Sequence, residues 1–279
     1  MGHQLGIVEP VLAAVWTYVG RVRVTLLYAV VLAVVAQALI MLGPQAQSDV
    51  VRAVSTNLHN LGDGRIETLI GSAFVNPDGP MYLWLPGFMA MLALGELLWQ
   101  SRRMVAAFLI GHLGATMIVA VGLAAAVAGG LLSTSVADAA DVGMSYGAVG
   151  VLGTYTAALP AHWRPAWAGW WLAVAAGSAA LSGGDFTAAG HAVALIIGML
   201  VGSRLGRPAP WTATRWGLLG VAVAFGYVVV GYNELSIPAT AACGLLGALV
   251  AGFGWPLLRR SSGIVQVGLL WRRGPTASG

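Results

Sequence analysis

Charge is what this chain has least of. Only 9% of its 279 residues are Asp, Glu, Lys or Arg, against about 25% in an ordinary soluble domain. Lysine is absent altogether, so all 14 basic side chains are arginine. Cysteine occurs once, at Cys243, which excludes an intramolecular disulfide and any cysteine-built metal centre. No metal and no cofactor are expected. What the chain has instead is 58% hydrophobic residues and a mean hydropathy of +0.81, more apolar surface than a soluble domain of this length can cover. It is therefore expected to be solvated by lipid.

Eight apolar runs follow one another, roughly 24–42, 80–99, 104–132, 142–160, 165–181, 186–203, 214–231 and 236–257. Most approach the ~20 residues that a helix needs to cross a ~30 Å hydrocarbon core. An all-α, multi-pass protein with about eight spans is expected. If the N-terminus is cytoplasmic, every arginine except Arg52 and Arg65 falls on the inner side, as the positive-inside rule requires. Most acids lie outside. Both termini are then cytoplasmic and the expected location is the cell (plasma) membrane. The pI near 9.6 describes an inner belt of arginine that favours anionic inner-leaflet lipid and gives no support to nucleic-acid binding.

The first run is too long for a secretory signal, follows a 23-residue lead and lacks a small-x-small cleavage site, so it reads as an uncleaved first helix. The expected organisation is a cytoplasmic segment 1–23, a membrane core 24–206 interrupted by one long outer loop 43–79, two further helices in 207–258 and a basic cytoplasmic tail 259–279. Within the outer loop, apolar residues such as Val50, Val54, Leu58, Leu61 and Leu69 are scattered among polar ones. That mixture predicts a partly helical piece at the interface.

Two short segments carry chemistry. Gly143-Met144-Ser145-Tyr146-Gly147 continues through Gly150 and Gly153, and Gly190-His191 continues through Ala194, Gly198 and Gly202. Residues four apart share one helix face, so each small-residue ladder forms a flat groove that a neighbouring helix can approach closely. Chain direction puts Ser145 and His191 at the same depth, about one turn below the outer surface. A neutral imidazole within reach of the Ser145 hydroxyl can take its proton during attack on a carbonyl. No acid is evident to orient the histidine, which leaves a dyad. Each residue also has a structural reading: a membrane serine bonds the backbone one turn back, and a membrane histidine is satisfied by a nearby carbonyl. His112, in the third run, is a rival candidate without a matched serine, while His3 and His162 lie at the wrong level.

The two segments together resemble the rhomboid intramembrane serine proteases, with a GxS nucleophile motif on the fourth helix and histidine on the sixth. A third stretch is similar as well: Leu69 to Phe74, then Leu94-Gly95-Glu96-Leu97-Leu98, then Ser101-Arg102-Arg103. The likeness covers roughly residues 69–206. It implies a rhomboid-like six-helix core plus two extra C-terminal helices, a gap that admits a substrate helix from the lipid, and a water-filled cavity reaching the serine. It also implies Ser145 as nucleophile, His191 as general base and then acid, and single-span membrane proteins as substrates. The pattern departs from the family at Tyr146, where Gly or Ala usually follows the serine. Leu83-Trp84-Leu85-Pro86-Gly87 has neither the His nor the Asn that usually help hold the oxyanion. The family's first-loop Trp-Arg pair is missing too. Backbone amides at the start of the fourth helix, or the side chains of Tyr146, His59 and Asn60, are the candidate replacements. The alternative is a catalytically inactive relative that binds or routes membrane-protein clients.

Overall fold

The structure is a computed structural model, and it describes residues 18–76, 81–183, 185–231 and 237–271, the last by backbone alone from residue 255. The expectations for residues 1–17, for 77–79 at the end of the outer loop and for 272–279 lie outside the described residues. Among these there are helices and no strand. The first long helix, α1 (Arg23–Leu42), stops at Gly43, whose φ of 90° suits glycine alone; Pro44 then starts α2 (Pro44–Val54) at its first position. Short helices α3 (Leu58–Gly62) and α4 (Thr68–Gly71) and a 3-10 turn (Ser72–Phe74) complete the outer segment.

The runs expected as second and third spans share one helix, α5 (Met81–Ala128). Its 48 residues would extend for about 72 Å at ~1.5 Å each, more than twice the ~30 Å hydrocarbon core of a membrane. The length is resolved by a break at Gln100, the only non-glycine residue with positive φ (68°) among those described. Two arms result, 81–99 and 101–128. After a 3-10 turn (Thr134–Asp138) come α6 (Ser145–Ala158), α7 (Arg164–Leu181), α8 (Phe186–Gly202), α9 (Ala213–Gly231) and α10 (Ile237–Trp271).

Of the eight spans expected, four helices qualify by length and hydropathy: Arg23–Leu42, Met81–Ala128, Ala213–Gly231 and Ile237–Gly254. The expected fourth run differs most. Its helix, α6, has only 14 residues and spans about 21 Å, short of a ~30 Å hydrocarbon core. It is also the centre of the molecule, because every residue from Tyr146 to Tyr155 is buried. A helix that is apolar on all sides belongs inside a bundle, and α6 is surrounded by α5, α8, α9 and α7.

The two ends of the bundle differ in charge. At one end Ala209 N–H donates to the Leu98 carbonyl (2.9 Å), Arg215 reaches the Leu97 carbonyl (3.1 Å) and Arg164 caps the Leu159 carbonyl (2.8 Å). Glu96 is buried there. Its carboxylate accepts from Val24 N–H (3.1 Å), Thr25 N–H (2.9 Å), the Thr25 hydroxyl (2.7 Å) and the Ser101 hydroxyl (2.7 Å), which pins the start of α1 to the break in α5. The opposite end is built from the outer segment, the 139–144 turn and the α7–α8 connection, with Asp138, Asp141 and Asp185.

Candidate active site

Ser145 is the first residue of α6, and glycine builds the turn before it. Gly143 has φ 127°, a conformation a side chain with Cβ rarely adopts, and its N–H donates to the Ser72 carbonyl at 2.8 Å. Gly143 therefore serves the turn and not the helix-packing ladder expected of it, because α6 begins two residues later. The same turn is strapped at Asp141, whose N–H donates to Ser55 Oγ (2.9 Å) and whose carbonyl accepts Thr56 N–H (2.9 Å). Burial pushes the Asp141 carboxyl up to about 7. The outer segment thus sets the position from which Ser145 starts.

His191 lies in the second turn of α8, whose start is capped by the Asp185 carboxylate accepting from Thr187 N–H (2.9 Å). Small residues bring α8 against α6. A methyl group at Gly202 would come within 2.8 Å of Thr154 Cα, and one at Gly198 would overlap the Gly150 carbonyl. At Gly153 the obstacle would be the Leu195 carbonyl, at Gly190 the Tyr146 ring, and at Gly147 the Phe108 ring on α5. Ala194 is fully buried between them. Gly150 also meets Gly111 of α5, where an added methyl would approach its Cα to 2.9 Å. Backbones this close exclude lipid and fix the depth of Ser145 relative to His191.

Both residues face one cavity of about 620 Å³. Its lining combines polar residues, Asn76, Asp141, Ser182, Asp185 and Thr187, with apolar ones, Trp84, Phe88, Met144, Phe225 and Val228. Ser145 is half-buried. His191 Nε2 is buried and has no hydrogen-bond partner among the described residues. Nor does a hydrogen bond join Ser145 to His191 here. Between α6 and α8 the Tyr146 ring stands edge-on to the imidazole, centroids 5.4 Å apart at 83°, and its own hydroxyl is likewise buried and unpaired. What the arrangement offers chemically is a hydroxyl at a helix N-terminus, a free imidazole nitrogen on the facing helix and helix-end amides that favour a developing negative charge.

The structure places His59 and Asn60 away from this cavity. The Asn60 amide donates to the carbonyls of Arg52 (2.9 Å) and Ser55 (2.7 Å), and its oxygen accepts from Arg65 (3.0 Å). The His59 ring faces Asp63 (3.5 Å) and Asp138 (3.7 Å) on the exposed surface. Their polar atoms are engaged elsewhere, which corrects the expectation that they supply oxyanion donors. The rival candidate His112 does have a serine, whose pairing was missed in the sequence: His112 Nε2 lies 3.2 Å from the Leu69 carbonyl and 3.3 Å from Ser72 Oγ. The signal available was a histidine between Gly111 and Gly114, but its partner comes from the outer segment, 40 residues earlier, which no helical spacing reveals. The packing of Tyr146 on His191 also needed the folded chain.

A family model described as rhomboid-like protein matches residues 17–207. The match ends before α9. No curated protein and no solved structure matches the chain.

Proposed function

The chain belongs to the rhomboid-like proteins, and on that premise we propose that it is an intramembrane serine protease in which Ser145 attacks a peptide carbonyl and His191 is general base, then general acid. One observation carries the reading: Ser145 and His191 open on a single cavity, and the buried His191 Nε2 is claimed by no other group among the described residues. A buried polar atom without a partner costs roughly 1–3 kcal/mol, and a proton to be received from serine is a reason to keep it free. Tyr146 holds the imidazole edge-on. The amides at the start of α6 hold the oxyanion, helped by the helix dipole.

In this reading the arginine-rich end faces the cytoplasm, in accord with the positive-inside rule. Both termini are then cytoplasmic and the cavity opens outward from the cell membrane. The molecule is a six-helix core, made of α1, the two arms of α5, α6, α7 and α8, extended by α9 and α10. Its substrates are membrane proteins, and its arginine belt meets anionic inner-leaflet lipid. A catalytically silent relative that binds membrane-protein clients is the second reading. It is favoured by the lack of a Ser145–His191 hydrogen bond and by the Tyr146 ring standing against the imidazole.

Labelling of the detergent-solubilised protein with a fluorophosphonate probe separates the two. The protease reading expects labelling of wild type that disappears in both Ser145→Ala and His191→Ala. Folded wild-type protein that stays unlabelled would transfer the assignment to the silent relative.

A further inference from the structure

The seventh apolar run does more than extend the core. Its helix, α9, lies between the 81–99 arm of α5 and α7, and packs on both. Phe225 fills the space over Gly87, where an added methyl would fall 2.7 Å from Phe225 Cβ, and its ring meets Trp84 edge-on at 5.9 Å. One residue on, Gly226 is pressed against α6 and both neighbours at once: a methyl there would lie 2.9 Å from Leu152, 3.1 Å from Trp171 and 3.3 Å from Met91. Gly231 continues the contact, with a methyl placed 3.1 Å from Val174 of α7. Further along the same helix, Val228, Val229 and Val230 line the Ser145 cavity itself. The helix is thus seated on glycine at two levels and walls the cavity with one face, while Val221 and Val228 on it stay exposed.

Resting on the assignment of the Ser145 cavity as the site, we propose that α9 closes this cavity to helices arriving sideways from the lipid, so that the segments it accepts are extended, extramembrane stretches of polypeptide presented from the aqueous face. The polar lining of Asn76, Asp141, Ser182 and Asp185 marks the way in, and Phe225, seated over Gly87 and against Trp84, is the barrier. Substrates of this class are loops and juxtamembrane segments that are already unwound, and they need no helix unwinding inside the bilayer.

The test measures access, separately from catalysis. A Ser145→Cys variant on a Cys243→Ser background, in lipid nanodiscs, is offered a charged, water-borne methanethiosulfonate or a maleimide carried mid-span on a single-span apolar helix in the same bilayer. The water-borne reagent is expected to react at least tenfold faster, and Phe225→Ala is expected to shift the ratio of the two rates at least tenfold toward the helix-borne one. Reaction of the helix-borne reagent at a comparable rate with Phe225 in place would overturn the proposal, as would an introduced thiol that the water-borne reagent cannot reach. Fluorophosphonate labelling of wild type reports independently on the catalytic reading. Unlabelled wild type with the expected thiol rates removes the protease and leaves the route intact. Labelled wild type with fast helix-borne reaction does the reverse.

Discussion

Two serine–histidine pairs sit at the same end of this molecule and are built to opposite rules. His112 shares its Nε2 between the Leu69 carbonyl and Ser72 Oγ, at 3.2 and 3.3 Å, and so ties the outer segment to the 101–128 arm. His191 faces Ser145 across a cavity with its Nε2 unclaimed. The first pair is hydrogen-bonded and buried, and the second lines a cavity and has no hydrogen bond. In an apolar surrounding an unpaired nitrogen is a cost, and His112 Nδ1 bears it as well as His191 Nε2; of the two residues it is His191 that lines the cavity, where a partner can be brought in from outside. The two pairs are also linked, because the Ser72 carbonyl accepts the Gly143 N–H of the turn that starts Ser145. The hydrogen-bonded pair supports the position of the open one.

The largest expected effect is on chemistry. Ser145→Ala or His191→Ala should each lower cleavage of a reporter by ~1000-fold or more while thermal unfolding stays where it was; a fall in stability instead would make this pair structural like the other. Next comes the seam that sets the two residues level. Gly198→Val drives a branched side chain into the Gly150 carbonyl, and a loss above about 4 kcal/mol, or failure to fold, is expected in a denaturation series, whereas Gly217→Ala, which meets nothing within 4 Å, should be tolerated.

Smaller again is His112→Ala, which leaves a buried carbonyl and hydroxyl unsatisfied and should cost roughly 1–3 kcal/mol. Its effect on catalysis should follow stability, and a mutant as stable as wild type but inactive would break the distinction between the pairs. The smallest concerns Asp141, held up to about 7 by burial. Its folded-state value lies above the unfolded one, so its contribution is fully present below about pH 4 and is lost as pH rises toward 7. Asp141→Asn should flatten that part of the stability profile between pH 4 and 7, and an unchanged slope would show that the carboxyl is not the titrating group.

How legible all this was depends on the range of each interaction. The apolar runs, the arginine asymmetry and the Gly190 to Gly202 ladder are local patterns, and each of the expected runs overlies a helix. The number of spans was less legible, since a 48-residue helix is divided by one backbone torsion at Gln100 and α6 is too short to cross a bilayer by itself. Glu96 was visible as a lone acid in an apolar run, yet its four donors come from Val24, Thr25 and Ser101, and the first two of these residues lie 72 and 71 positions before it. His59 and Asn60 looked free because their partners were unknown.

By itself the sequence determined that this chain is helical, apolar and asymmetric in charge, and that a serine and a histidine follow glycine in two separate runs, because helix period and lipid solvation act over neighbouring residues. Only the tertiary structure decided that His191, with its Nε2 unpaired, lines a cavity, that Gly143 shapes a turn, and that α9 packs between the 81–99 arm and α7 beside the cavity. Those outcomes depend on which backbones come within about 3 Å of one another, and that is set by the packing of side chains far apart in the chain.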